Sequence, residues 1–301
     1  MRVTTNMILQ EQTRGLQLNT EALDRAQARV STGLKLQNAS DDPTAASSVM
    51  ATSSSLRALD QYKTNISRAS ARINGEDSTL QQLSDLMTRA KELGMAQAAG
   101  TATDQTRATA KAELQQIFSQ IVSLGNTKVG NEYIFGGDKS TTAPYGVTGS
   151  GATIDYTTTS PTGTRVLDLG PSPSQTISHT GTQVFEDTGV LGAVRDMTRA
   201  MDPASSTYGT QGITDAMTKL DTAFDGVQTY VGEVGARAQA LQVTQQNLDA
   251  YKTNLTTFKS DLEDIDIETA VTELTSRQTA YQAAMLATSK VLGLSLTDYL
   301  R

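Results

Sequence analysis

The sequence predicts a mainly α-helical fold: an elongated, antiparallel helical rod of coiled-coil type, with a small β-rich insertion at its tip and mobile terminal helices. Three observations predict it. Two apolar ladders with a period of seven residues stand far apart in the chain, a Gly-, Thr-, Ser- and Pro-rich stretch lies between them, and the second ladder slips out of phase near its end. An apolar stripe at a spacing of 3.5 is the seam of a helix made to lie along another helix. Each ladder covers about fifty residues, so each helix is roughly 80 Å long at 1.5 Å per residue.

The first helix is expected from about Asn6 to Thr32, with Leu9, Leu16, Leu23 and Val30 at intervals of seven, and Gly33 as its left-handed C-terminal cap. A loop from Leu34 to Asp42 follows. Asp42 as N-cap and Pro43 at the first helical position then open the helix that carries the first ladder. That ladder is Leu59, Ile66, Ile73, Leu80 and Met87, with Tyr62, Ala69, Leu83 and Ala90 three residues on, and it runs to about Ala98. Gly100 breaks it. Asp104 is the expected cap of a third helix reaching about Lys128, with Leu114, Ile117, Phe118, Ile121 and Leu124 inward.

From Gly130 to Gly189 the turn residues dominate, and Tyr133–Phe135, Thr153–Thr157 and Arg165–Leu169 are the expected strands. A short helix from Val190 to Met201 leads to the second ladder, which starts near Thr210. Its rungs are Ile213, Leu220, Val227, Val234, Leu241, Leu248, Leu255 and Leu262, with Tyr251, Phe258 and Ile265 expected beside them in the seam. At Asp264–Ile267 the stripe slips and restarts as Val271, Leu274, Tyr281, Met285 and Leu292, so a break belongs there and a separate last helix follows. Five segments result: residues 1–42, an assembly helix and loop; 43–130, rod helices; 131–209, a variable β-rich insertion with a short helix; 210–265, a rod helix; and 266–301, a second assembly helix.

Composition narrows the function. A formal net charge of −7 and an isoelectric point near 4.8 argue against a nucleic-acid partner. No run of eighteen apolar residues offers a membrane span, and the start of the chain lacks the apolar core of a cleaved secretory signal. With no cysteine there is no disulfide, thiol catalysis or Cys-based zinc site. No catalytic residue, cofactor site or metal site is expected. His179 reads as a solvated loop histidine. The carboxylates around Asp264 lack the glycine and glutamate positions of a calcium loop, Gly136–Gly137 lacks the Lys-Ser/Thr of a phosphate loop, and Asp41–Asp42 reads as a helix cap.

The terminal helices carry the functional expectation. Off its apolar stripe, the segment from Ala270 to Thr297 is mostly Thr, Ser, Gln and Ala, where a solvated helix face carries Lys and Glu. Small uncharged side chains permit packing on several sides, as inside an assembly of many chains. The expected assembly interface is Leu9, Leu16, Leu23, Val30, Val271, Leu274, Tyr281, Met285, Leu292 and Leu296.

The stretch Arg29-Val30-Ser31-Thr32-Gly33 through Ala39-Ser40-Asp41-Asp42-Pro43 resembles the signature of the flagellin superfamily. Within it, Pro43-Thr44-Ala45-Ala46, the opening Met1-Arg2-Val3-Thr4-Thr5, Asn131-Glu132-Tyr133-Ile134-Phe135-Gly136-Gly137 and the close at Leu294-Ser295-Leu296-Thr297-Asp298-Tyr299 are similar to the branch that joins hook to filament. The resemblance covers residues 1–145 and 210–301. It implies a secreted structural protein of the bacterial flagellum, exported without a cleaved signal, whose copies form a ring between hook and filament. The implied partners are its own copies, a hook-associated neighbour, flagellin or a second junction protein, and an export chaperone. A filament subunit of the same superfamily is the alternative. A signalling coiled coil is a more distant one, disfavoured by the β insertion.

Overall fold

The computed structural model describes residues 2–99, 102–159, 161–164, 166–168, 170 and 175–299; the side chains of 2–6, 8, 9, 175 and 291–299 lie outside that description. The α-helices among these residues are α1 (Arg2–Thr32), α2 (Pro43–Ala98), α3 (Asp104–Gly125), α4 (Val190–Ala200), α5 (Thr210–Glu263) and α6 (Ile267–Tyr299). The chain divides into two compact units, residues 59–249 and residues 1–58 with 250–301.

In the unit 59–249 the two ladders pair. Leu59, Ile66, Ile73, Leu80 and Met87 are buried on α2, as are Ile213, Leu220, Val227, Val234, Leu241 and Leu248 on α5. Three polar pairs fix the register: Lys63 Nζ to Asp249 Oδ1 at 2.6 Å, Gln228 Nε2 to Ser84 Oγ at 3.2 Å, and Lys91 Nζ to Asp221 Oδ1 at 2.6 Å. Equal steps forward along α2 meet equal steps backward along α5, so the helices are antiparallel. Lys63, Ser84 and Lys91 each stand one turn after a ladder residue of α2, and their partners each stand directly after one of α5. One flank of the seam is thus stitched at whole heptads.

Helix α3 folds back on α2, with Arg89 Nε donating to Glu113 Oε1 at 2.7 Å. Its N-cap is Thr103, whose Oγ1 accepts the backbone N–H of Thr106 while the Thr106 hydroxyl accepts that of Thr103. Asp104 is the first helical residue instead of the cap, because the reciprocal Thr103–Thr106 box satisfies two of the free N–H groups at once. The expected break at Gly100 lies outside the described residues. The helix ends at Gly125, three residues before Lys128, where Asn126 caps it and exchanges hydrogen bonds with the Tyr145 backbone, its Nδ2 donating to the carbonyl at 2.8 Å and its Oδ1 accepting the N–H at 3.0 Å; the Tyr145 ring leaves no room for a side chain at 125. Helix α4 packs on α3, and Leu114, Phe118 and Ile121 of α3 share a buried layer with Leu191, Val194 and Met197 of α4.

Among its described residues the insertion holds three two-stranded antiparallel ladders. They are β1 (Lys128–Val129) with β2 (Glu132–Tyr133), β3 (Tyr145–Thr148) with β4 (Asp155–Thr158), and β5 (Val166–Leu167) with β6 (Gln175–Thr176). Of the expected strand Tyr133–Phe135 only Tyr133 is in a strand, and Ile134 and Phe135 stand in the turn after it; β4 lies over the expected Thr153–Thr157, β5 within the expected Arg165–Leu169, whose two end residues lie outside the described ones, and β1, β3 and β6 were not expected. Such ladders are marginal alone, and these rest on a small aromatic core. Phe135 meets Phe185 edge-on at 5.1 Å, and Tyr145 lies 5.5 Å from Phe185. Phe185 belongs to a π-helical turn, Thr182–Asp187, that the sequence does not announce. The Tyr145 hydroxyl donates to Glu186 at 3.2 Å; burial, and then that carboxylate, hold the phenol far above its usual range, so it stays a donor. The insertion lies along the side of α2. Arg72 donates to the Ile134 carbonyl, Asn65 Nδ2 donates to the Asp168 carbonyl at 2.8 Å, and a Cβ at Gly75 would stand 3.0 Å from Ile134.

Three further expectations fail in this unit, the first being the place of the insertion, which lies beside the middle of α2 and not at the tip of the rod. His179 is buried, with both ring nitrogens against carboxylates, where a solvated loop residue was expected. The burial follows from the aromatic core, which draws the segment before the π-helix down onto α2 and α5. The second seam row of α5 is buried at Ala216 and Ala223, and Tyr230 continues it against His179. Further along, Tyr251 and Phe258 are about half exposed, at 48% and 49%. They belong to the other unit and are not seam residues of this one.

Two outcomes follow. Leu80 is fully buried, so Leu80→Ala should cost roughly 2–5 kcal/mol and lower Tm clearly. Lys91→Ala, which breaks only a half-exposed ion pair, should cost about 1 kcal/mol or less; thermal unfolding followed by circular dichroism compares them. Burial pushes the Asp155 and Asp196 carboxyls upward, but Arg195 with the Tyr156 N–H at Asp155, and Lys219 with Arg195 at Asp196, bring both below their usual range. Their contribution is therefore present above about pH 4 and lost as the pH falls further. Asp196→Asn should reduce the acid sensitivity of α4, read by hydrogen exchange.

Candidate assembly surfaces

The unit formed by residues 1–58 and 250–301 is built around two connectors. Gly33 adopts φ +72°, and its N–H donates to the Arg29 carbonyl at 2.9 Å, closing α1 as expected. Asp42 Oδ1 accepts the N–H groups of Thr44 and Ala45, both at 3.0 Å, and opens α2 with Pro43 as its first residue. Asp41 Oδ2 takes the N–H of Asn38 at 3.1 Å and braces the loop between. The second connector joins α5 to α6. Lys35 N–H donates to the Glu263 carbonyl at 2.8 Å and Ile265 N–H to the Gly33 carbonyl at 2.9 Å, so the two connectors form a one-rung antiparallel bridge at Leu34 and Asp264. The break expected at Asp264–Ile267 is there.

Helix α1 packs against α6. Arg29 Nη1 stands 3.5 Å from Glu273 Oε2, and Thr288 Oγ1 stands 3.5 Å from Gln12 Oε1, which makes the pair antiparallel. The pairing buries little. Among the described residues of this unit, Ala26 and Ala270 are the fully buried apolar side chains. Of the expected interface, Leu16, Leu23, Val30, Leu274 and Tyr281 are half-buried, while Val271 and Met285 are exposed. The side chains of Leu9, Leu292 and Leu296 lie outside the described residues. Met7, Leu18, Met50 and Leu286 are each more than half exposed, and sequence periodicity did not single them out, because they fall off the strict heptad rows.

The polar remainder of these faces is self-contained. On α6 the hydroxyls of Thr272, Thr275, Thr279 and Thr288 donate to carbonyls four residues back, at 2.8–2.9 Å. Thr20 and Thr32 do the same on α1. A hydroxyl already bonded to its own helix costs little to cover with another chain. Between the ion pairs Arg25–Glu21, Arg29–Glu273 and Arg277–Glu273 the surface is therefore apolar or neutral and bonded within itself, and its described residues form little core of their own. Among the described residues no group of His, Asp and Glu is placed to hold a metal ion, and no helix is long and apolar enough to cross a membrane.

Two family models match the helical parts. The bacterial flagellin N-terminal helical region covers residues 3–140 and the bacterial flagellin C-terminal helical region covers 217–300. The chain belongs to the flagellin family. It is 27% identical to flagellar hook-associated protein 3 of Escherichia coli K12 over 98% of both chains. It is 28% identical to the protein of the same name from Salmonella typhimurium, over 87% of this chain and 79% of that one. A solved structure of a flagellar hook-associated protein from Vibrio parahaemolyticus superposes with a TM-score of 0.66 at 19% identity, over 74% of this chain and all of that one. For this flagellin-family chain, the signature segment 29–43 is a loop-building device: a left-handed glycine, a braced turn and an aspartate cap.

Tyr251 and Phe258 stand two turns apart on one face of α5 and are half exposed. Replacing both with Ser should leave the stability of the isolated chain within about 1 kcal/mol, as at other exposed positions. The same pair should depress incorporation into flagella, read by thermal melts beside immunoblots of sheared cell-surface fractions.

Proposed function

We propose that this chain is a structural subunit of the bacterial flagellum that polymerises as the junction between hook and filament and catalyses no reaction. The observation that carries the reading is the terminal unit. Two paired helices of about thirty residues, each roughly 45 Å long, have Ala26 and Ala270 as the buried apolar side chains among their described residues. Isolated helices gain most of their stability by packing an apolar face, so such a unit is one that neighbouring copies complete. In the assembly Leu9, Leu16, Leu23 and Val30 meet Val271, Leu274, Tyr281, Met285, Leu292 and Leu296 of the same or adjacent copies. The free ends order as they join, and intersubunit burial offsets the cost of ordering them.

Similarity to hook-associated protein 3 along nearly the whole chain supports the junction over the filament. The partners are then further copies of this chain, a hook-side neighbour, a filament-side subunit and an export chaperone that shields the apolar ends before secretion without a cleaved signal. The filament-subunit reading is favoured by one observation, the match of both flagellin helical regions.

Deletion in the source bacterium separates the two. Loss of a junction protein should leave hooks bare and flagellin free in the medium; loss of the filament subunit should leave hooks bare with no flagellin outside. Re-expression of residues 1–266 should restore neither motility nor filament attachment. Hydrogen exchange of the dilute full chain reports on the ends: residues 6–32 and 268–299 should exchange quickly, and slow exchange throughout both would refute coupled ordering.

A further inference from the structure

Residues Ile177, Ser178, His179 and Thr180 link β6 to the π-helical turn, and all four are buried in an irregular strap lying against α2 and α5. His179, the one histidine of the chain, anchors it. Its Nδ1 stands 2.7 Å from Glu76 Oε1 on α2, and its Nε2 stands 2.9 Å from Glu233 Oε2 on α5. The His179 backbone N–H also donates to Glu76 Oε1 at 3.2 Å, and the ring packs on Tyr230 at 4.7 Å. One side chain of the insertion therefore grips both long helices.

The two carboxylates differ. Glu76 is fully buried, receives its hydrogen bonds from His179, and its second oxygen is buried with no partner. Glu233 is half exposed and also paired with Arg237, one turn on, at 3.4 Å. The other ionisable groups around the ring are Tyr230 of α5 and Asp187 of the π-helical turn, whose charge acts on Tyr230. Arg72, one turn before Glu76, is directed to the carbonyls of Tyr133 and Ile134 and to Glu132.

A neutral imidazole carries one N–H. It could donate to Glu76 or to Glu233, and its bare nitrogen would then face the lone pairs of the other carboxylate. The doubly protonated ring donates to both, and it brings a positive charge to the buried Glu76. We propose that His179 is a protonation-operated latch that fastens the strap 175–189 to α2 and α5. It is closed when both ring nitrogens carry protons and released as rising pH takes the second proton into water. On release Arg237 keeps Glu233, Glu76 is left without a counter-charge, and the strap loosens. Because the closed form needs the extra proton, lowering the pH favours it and raising the pH works against it. The latch is independent of the junction reading, since it acts within one chain.

Hydrogen exchange of the full chain, corrected for the intrinsic pH dependence of exchange, tests this at about pH 5.5 and about pH 8.5, either side of an ordinary histidine. Loss of one charge-assisted hydrogen bond should speed exchange across 175–189 by about tenfold or more at the higher pH, while α5 around Leu220 stays unchanged. The response should vanish in His179→Gln and shrink in Glu76→Gln. Equal protection of the strap at both pH values, or an undiminished response in His179→Gln, would overturn the latch. If His179→Gln does not fold, the ring signal of the lone histidine in the unmodified chain decides by nuclear magnetic resonance. A signal that titrates in step with strap exchange supports the latch, and one that stays constant while exchange changes rejects it.

Discussion

The antiparallel seam between α2 and α5 is the constraint on which the rest of the larger unit depends. Its apolar rungs supply burial, at about 1.5–3 kcal/mol for each large side chain, but burial alone would tolerate a slip by one heptad. The polar stitches Lys63–Asp249, Ser84–Gln228 and Lys91–Asp221 would all be broken by such a slip, and each is cheap in itself. Their value is in selecting one register. Once that register holds, Glu76 and Glu233 lie where one histidine can reach both, and Gly94 packs closely against Met197 and Met217.

The insertion exploits this fixed platform. None of its strand pairs exceeds four residues a side, too little for independent stability. Its order comes from aromatic contacts among Phe135, Tyr145 and Phe185 and from side chains that reach the helices, such as Arg199 donating to the Ile154 carbonyl at 2.6 Å. A segment so short of regular structure can vary in sequence provided these few anchors are kept. The helices bear the opposite constraint, since every seventh residue must stay apolar.

Much of this was legible in the sequence because helices write their packing into a period. The ladders, the cap at Asp42–Pro43, the stop at Gly33 and the break at Asp264 each rest on local chemistry and fall where that chemistry puts them. What escaped was either an unusual local motif or a contact between distant segments. Thr103 displaced Asp104 as a cap through a reciprocal bond to Thr106, a box built without the usual glutamate. His179 looked solvated because its neighbours Ser178, Thr180 and Gly181 are polar or small, and only the fold brings two carboxylates from residues 76 and 233 to it. The π-helical turn has no sequence period to announce it. Tyr251 and Phe258 matched the ladder's spacing, yet spacing cannot say whether the partner lies in the same chain.

The threonines of α1 and α6 have a consequence beyond geometry. With their hydroxyls bonded to their own helices, the stretches of these faces between the ion pairs Arg25–Glu21, Arg29–Glu273 and Arg277–Glu273 offer ions little to screen. Contacts made by burying such surface carry a large negative heat-capacity change and weaken on cooling. Contacts that cover those stretches respond more to temperature than to salt.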